Sequence, residues 1–151
     1  YATPSPIRAG APQLRPNAEF PAPARPWKPR LALGGGPMLI ESGEPRLTFE
    51  EEAFFGSGMG SLDSRHPRTA LGYTHDGRLL LLVVDGRGAD SVGATLGELA
   101  RELRARGAVE ALNLDGGGST SLVVNGALIN RPSEKFGPRE VASALLLVPA
   151  R

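Results

Sequence analysis

The residues best suited to chemistry lie in LNLDGGGSTSLVVNG (112–126). Here Asp115 closes an apolar run and is followed by Gly116, Gly117 and Gly118, then by the hydroxyls of Ser119 and Thr120. Backbone without side chains lets a ligand approach the main chain, and successive amides in a glycine-rich turn can form an anion-binding nest. Alone, the stretch reads first as a mobile turn. Its echo in VVDGR (83–87), where Asp85 ends another apolar run, changes the weighing. Glycoside cleavage uses paired carboxylates, one as proton donor and one as base or nucleophile. The same pair could hold a divalent cation, although no cofactor is required by the sequence. Ser119 lacks a nucleophile-elbow frame, because 117–121 reads GGSTS rather than G-x-S-x-G.

Cationic groups are the other requirement for a phosphate ligand. SRHPRTA (64–70) offers Arg65, His66 and Arg68, with Arg68-Thr69 opening a strand. Arg68 suits a phosphate clamp, since guanidinium matches phosphate oxygens in a bidentate fork. His66 reads either as a general acid or as a loop residue. VNGALINRPS (124–133) sends Asn130, Arg131 and Ser133 into a loop just past a hairpin, and His75 falls in an exposed turn. The arginines carry less weight as a class. Fifteen of the 17 basic residues are arginine, which reads as compositional bias before it reads as chemistry.

The elements that must position these groups follow from patterning. Eight of the 14 prolines fall in residues 1–30, predicting an extended arm or linker, with Trp27 pinning its end, ahead of a domain over 31–151. Short extended segments flank a turn at Ser42-Gly43-Glu44, and the glycine-broken 50–63 reads as a loop. RTALGYT (68–74) and RLLLLVVD (78–85) flank His75-Asp76-Gly77, a hairpin signal. The second strand is apolar at consecutive positions, which predicts burial on both faces. Thr95 and Glu98 form a capping box, Leu96, Leu99, Ala100 and Leu103 recur at helical spacing, and Gly107 ends the helix. Val109–Asp115 reads as a strand, 121–125 and 127–130 as a hairpin about Asn125-Gly126, and Glu140–Val148 as a closing buried strand.

Strand, helix and strand over 78–115 have the order of a βαβ unit. The expected class is therefore α+β: a mixed β-sheet with hairpins, one βαβ unit and few helices. That unit would bring Asp85 and Asp115 to one sheet edge, at the carboxyl ends of parallel strands where ligands bind.

With 151 residues the chain suits one domain. A net charge of +1 gives no reason to expect nucleic acid, and the longest apolar run, Leu79–Val84, is far short of a membrane span. Without cysteine there is no disulfide and no thiolate chemistry.

Taken in order, PRTALGYTHDGRLLLLVVDGR (67–87), S-x-G-x-TLGELA (91–100), AVEALNLDGGGSTSLVVNG (108–126) and NRPS with REVASALLLV (130–148) resemble the phosphodiester glycosidase family. That family includes the lysosomal uncovering enzyme, and its bacterial members are tied to envelope and exopolysaccharide metabolism. The resemblance implies hydrolysis of a sugar-1-phosphodiester, with N-acetylglucosamine as the type sugar and an envelope glycan as the natural setting, secreted or at the cell envelope. It implies Asp85 and Asp115 as catalytic carboxylates. Substrate contacts fall on Arg68, Thr69, Arg87, Gly116, Gly117, Gly118, Ser119, Thr120, Asn130 and Arg131. Family domains begin with an Asn-Gly-x-Phe-Phe-type segment, and the proline-rich stretch stands in its place. The resemblance therefore implies either a second chain or domain supplying those strands, or a rebuilt domain. Two alternatives stand beside it: a non-catalytic module binding glycans or phosphosugars, and a nucleotide-binding fold of the sugar-kinase or exopolyphosphatase type.

Overall fold

The computed structural model describes residues 29–52, 54, 60–135 and 137–149. Most of the expected arm, Trp27 included, lies outside the described residues.

The elements are β1 (Met38–Glu41), β2 (Glu44–Pro45), β3 (Arg68–Thr74), β4 (Leu79–Val84), α1 (Leu96–Ala105), β5 (Ala108–Asn113), a 3-10 turn (Gly117–Ser119), β6 (Val123–Val124) and β7 (Ala127–Leu128). Five strands form one sheet in the order β2-β1-β5-β3-β4, and β6 and β7 form a separate ribbon. The class is α+β, with one correction. Every paired neighbour in the sheet is antiparallel, so the sheet is not mixed. β4 and β5 do run in the same direction, but β3 is hydrogen-bonded between them, and the helical crossover spans a strand instead of joining neighbours.

Local chemistry explains the connections. Thr95 Oγ1 accepts from the Glu98 amide at 3.1 Å while the Glu98 carboxylate accepts from the Thr95 amide at 3.0 Å, completing the capping box. The turns 42–43 and 125–126 place both central residues at positive φ, as two-residue hairpins require. The third, at 75–77, closes through the Gly77 amide on the Thr74 carbonyl at 2.9 Å.

α1 packs one side on the sheet. Leu96, Leu99, Ala100 and Leu103 are buried against Leu39 and Ile40 of β1, Ala70 of β3 and Ala108 and Ala111 of β5. Burying a leucine side chain contributes about 1.5–3 kcal/mol, so this stripe anchors the helix. Gly72 fits the close pairing of β3 with β5, where a Cβ would meet the Glu110 carbonyl oxygen at 2.9 Å.

The opposite face differs from expectation. Register places Leu71 beside Leu81 and Leu112, and Tyr73 beside Leu79. On this face Tyr73, Leu79 and Leu81 are 51%, 47% and 39% exposed. β4 is thus not buried on both faces, because α1 covers only one side of the sheet, and on that side Leu80, Leu82 and Val84 reach the core. The closing strand expected over 140–148 is also not formed. That segment has no ladder partner among the described residues, and Leu146 and Val148 are each 78% exposed. An apolar run becomes a strand only where an edge receives it.

Candidate active site

The strand order creates the site. β4 and β5 end on the same sheet edge as β3 begins, so Asp85, Arg68 and Asp115 arrive together from three segments. The meeting point is His66-Pro67. His66 bridges Ala94 through main-chain bonds of 3.2 and 3.0 Å, and the Gly117 amide donates to the Pro67 carbonyl at 2.9 Å. Glycine is required by this crowding: a Cβ at Gly116 would lie 2.7 Å from the Pro67 carbonyl oxygen, and one at Gly86 would lie 2.9 Å from the Pro67 nitrogen.

Around that hub is a cavity of about 270 Å³ lined by His66, Arg68, Arg87, Asp115, Gly116, Gly117 and Arg139, among others. Arg68 is only 3% exposed. Its Nε donates to the Ala94 carbonyl at 3.0 Å and its Nη2 to the Ser64 carbonyl at 2.8 Å. Among the described residues no carboxylate pairs with it. Burial, and after it the repulsion of Arg87, lowers its pKa from the ordinary arginine value. A buried guanidinium beside another cation, with only carbonyl partners, is costly unless an anion compensates it.

Arg87 is held in the left-handed region at φ 57°, which is uncommon for a side chain of its size. This turns the guanidinium over Gly117, whose missing Cβ would lie 3.3 Å from both terminal nitrogens. Arg87 Nη2 is 3.2 Å from His66 Nδ1. Asp115 is exposed in the same cavity and makes no hydrogen bond or ion pair among the described residues.

Asp85 stands in different surroundings. One carboxylate oxygen accepts from Asn130 Nδ2 at 2.9 Å, and both accept from the Arg131 amide at 3.0 Å. Asp85, Asn130 and Arg131 line a neighbouring cleft of about 490 Å³, and Arg131 pairs with Asp90. That larger cleft is not where the unpaired cations gather. The two expected carboxylates therefore come to one edge with unlike occupations: Asp85 fastens a loop, while Asp115 is open.

The glycine loop forms a 3-10 turn over Gly117–Ser119. The amides of Ser119 and Thr120 donate to Gly116 and Gly117 carbonyls, so with Gly117 they are already used. Thr120 is fully buried, its hydroxyl 3.3 Å from that of Thr69, and Gly118 is buried behind the turn. Thr69, Gly118, Ser119 and Thr120 support the loop without lining the cavity.

Two polar lining residues, Asn113 and Arg139, had no sequence-level assignment to the site. Asn113 is 1% exposed, donates to the Gly36 and Leu114 carbonyls, and its Oδ1 has no partner. Arg139 enters from the segment read as the approach to a strand. The signal available for Arg139 was its place after Gly137-Pro138, where a chain turns back. Among the described residues no group of three or more His, Asp or Glu side chains gathers that could hold a metal ion, and no helix is long and apolar enough to cross a membrane.

Comparison with known proteins adds a second line. The family described as phosphodiester glycosidase matches residues 10–148, reaching into the proline-rich stretch. The chain is 45% identical over 108 residues to the mouse N-acetylglucosamine-1-phosphodiester alpha-N-acetylglucosaminidase, covering 68% of this chain and 21% of the mouse protein. It is 40% identical over 105 residues to YomE, an uncharacterized prophage-derived protein of Bacillus subtilis, covering 70% of this chain and 15% of YomE. Among solved structures, the zebrafish N-acetylglucosamine-1-phosphodiester alpha-N-acetylglucosaminidase catalytic domain, auto-inhibited by its pro-peptide, superposes with a TM-score of 0.60 at 31% identity. That match covers 72% of this chain and 39% of the zebrafish one. A hypothetical protein from Synechocystis superposes with a TM-score of 0.53 at 39% identity, covering 67% and 18%. The chain thus spans about a fifth of the mouse protein's length and about two-fifths of the zebrafish chain's.

Proposed function

The chain belongs to the phosphodiester glycosidase family, and from that premise we propose that it hydrolyses a sugar-1-phosphodiester of the N-acetylglucosamine type, in a secreted or envelope setting. The observation that carries this reading is the uncompensated pair Arg68 and Arg87 in the cavity that also holds the open carboxylate of Asp115. A phosphodiester would supply the missing negative charge and deliver its anomeric carbon to Asp115.

In this mechanism Arg68 and Arg87 hold the phosphate and stabilise charge as it departs. Asp115 takes a proton from water, whose oxygen bonds to C1 as the bond from C1 to the bridging oxygen breaks. The electron pair leaves with the phosphate, which departs as a monoester dianion, and the proton passes from Asp115 to solvent. Phosphate is a capable leaving group, so a single carboxylate suffices. Asp85 acts as a positioning residue through Asn130 and Arg131.

A non-catalytic module binding phosphosugars is a second reading, favoured by the small share of its relatives that the chain spans. We assign the remainder of the site to a further segment or a second chain, in keeping with the partial share of its relatives that the chain spans. The nucleotide-fold alternative gives way to the family match. Release of N-acetylglucosamine from UDP-N-acetylglucosamine tests the reading. Turnover by the wild type that is lost in Asp115→Asn supports hydrolysis; full turnover in that variant overturns the assignment.

A further inference from the structure

The loop after Asn130 returns to the glycine turn in an arrangement that the mechanism above does not use. Glu134 lies across Gly118, filling the space a Cβ there would need. From the same loop, Arg139 lines the cavity of Arg68, Arg87 and Asp115. Its Nε is 3.9 Å from Glu134 Oε1, the outer limit of an ion pair, and both side chains are about half exposed, at 50% and 44%. An exposed pair at that separation contributes little, so Arg139 is free to exchange Glu134 for a better partner.

Charge counting gives that partner a chemical class. A phosphodiester carries one negative charge, whereas a phosphate monoester carries close to two at neutral pH. With the carboxylate of Asp115 in the same cavity, Arg68 and Arg87 leave one net positive charge, which a monoanion matches; Arg139 raises it to two, which only the dianion matches. We propose that Arg139 is the phosphate site's third cation, held loosely by Glu134 and transferred to the second negative charge that the phosphate acquires as the sugar leaves. This rests on the phosphodiester reading and deepens it, because it predicts a site selective for the monoester product over the diester substrate. Glu134 is the positioning residue, its carboxylate lying in the space beside Gly118.

The test is calorimetric titration of the full 151-residue chain at pH 8 with methyl phosphate, a dianion, and dimethyl phosphate, a permanent monoanion. The wild type should bind methyl phosphate about tenfold more tightly, as one added charge-assisted contact provides. Arg139→Gln should remove that preference while leaving dimethyl phosphate affinity within about threefold. Arg139→Lys, keeping the charge, should retain most of the preference, and Glu134→Gln should keep or increase it. Equal loss for both anions in Arg139→Gln, or an undiminished preference, overturns the inference and leaves the phosphodiester reading standing. Dianion selectivity that depends on Arg139, in a chain that never cleaves a sugar phosphodiester, overturns the phosphodiester reading and with it the transfer of Arg139 during cleavage, leaving Arg139 a cation of a phosphate-binding site. A wild type that binds neither anion overturns both.

Discussion

Arg87 Nη2 lies 3.2 Å from His66 Nδ1, and the same guanidinium stands over Gly117. Only a residue at positive φ, as Arg87 is, turns its side chain from the end of β4 back over the loop that follows β5. Non-glycine residues in this region cost about 1–2 kcal/mol, a cost that the proposed phosphate contact of Arg87 would offset.

Arg87→Gly separates those two demands. Glycine removes the left-handed strain but adds freedom to the unfolded chain, and the two effects are similar in size. Stability by denaturant titration should therefore stay within about 1 kcal/mol of wild type, while affinity for inorganic phosphate falls about tenfold or more. A large loss of stability with phosphate affinity intact would assign Arg87 to the scaffold.

Asp85 and Asp115 should part company in the same way. Asp85 accepts hydrogen bonds from Asn130 Nδ2 and the Arg131 amide, so Asp85→Asn should destabilise the fold by about 1–3 kcal/mol and lower activity through a displaced 130–131 loop. Asp115, without such partners, should leave the melting temperature unchanged on replacement by Asn and abolish turnover. Thermal melts alongside kinetics read both.

The helix stripe supplies a stability prediction. Leu99 is fully buried between β1 and the small residues of β3 and β5, so Leu99→Ala should cost about 2–5 kcal/mol in chemical denaturation. Leu81→Ala, on the uncovered face, should cost less than about 1 kcal/mol in the isolated chain. Similar costs at the two positions would mean that the second face is covered in solution.

Much of this scaffold was legible locally. The Thr95–Glu98 box, the apolar spacing of α1 and the three hairpin turns follow from short-range chemistry, and the strand-helix-strand order was enough to bring Asp85 and Asp115 to one sheet edge. Strand order is non-local, and nothing in RTALGYT says that it inserts between β4 and β5. The apparent burial of LLLLVV and the apolar 140–148 misled for the same reason, since apolarity does not name a partner. The burial of Arg68 and the hydrogen bonds that occupy Asp85 are also tertiary facts, with no sequence signature.

Acid should weaken the helix start. The Glu98 carboxyl is held below the usual carboxylate range by the Thr95 backbone amide first, then by its pairing with Arg65. A pKa lower in the folded than in the unfolded state gives stability that is complete above the unfolded value and lost as pH falls through the folded one. The melting temperature of wild type should exceed that of Glu98→Gln at pH 7. The gap should close on acidification below the ordinary glutamate range, near pH 4; a gap that widens in acid would contradict this sign.

In the proposed reaction the arginine pair receives a departing phosphate while water is delivered to the sugar. Hydrolysis of UDP-N-acetylglucosamine in oxygen-18 water, read by mass spectrometry of both products, tests it most directly. Label should enter the anomeric hydroxyl of the released N-acetylglucosamine and not the phosphate product, and turnover should be abolished in Arg68→Met. Label in the phosphate would mean cleavage of a phosphorus–oxygen bond and would overturn the proposed mechanism.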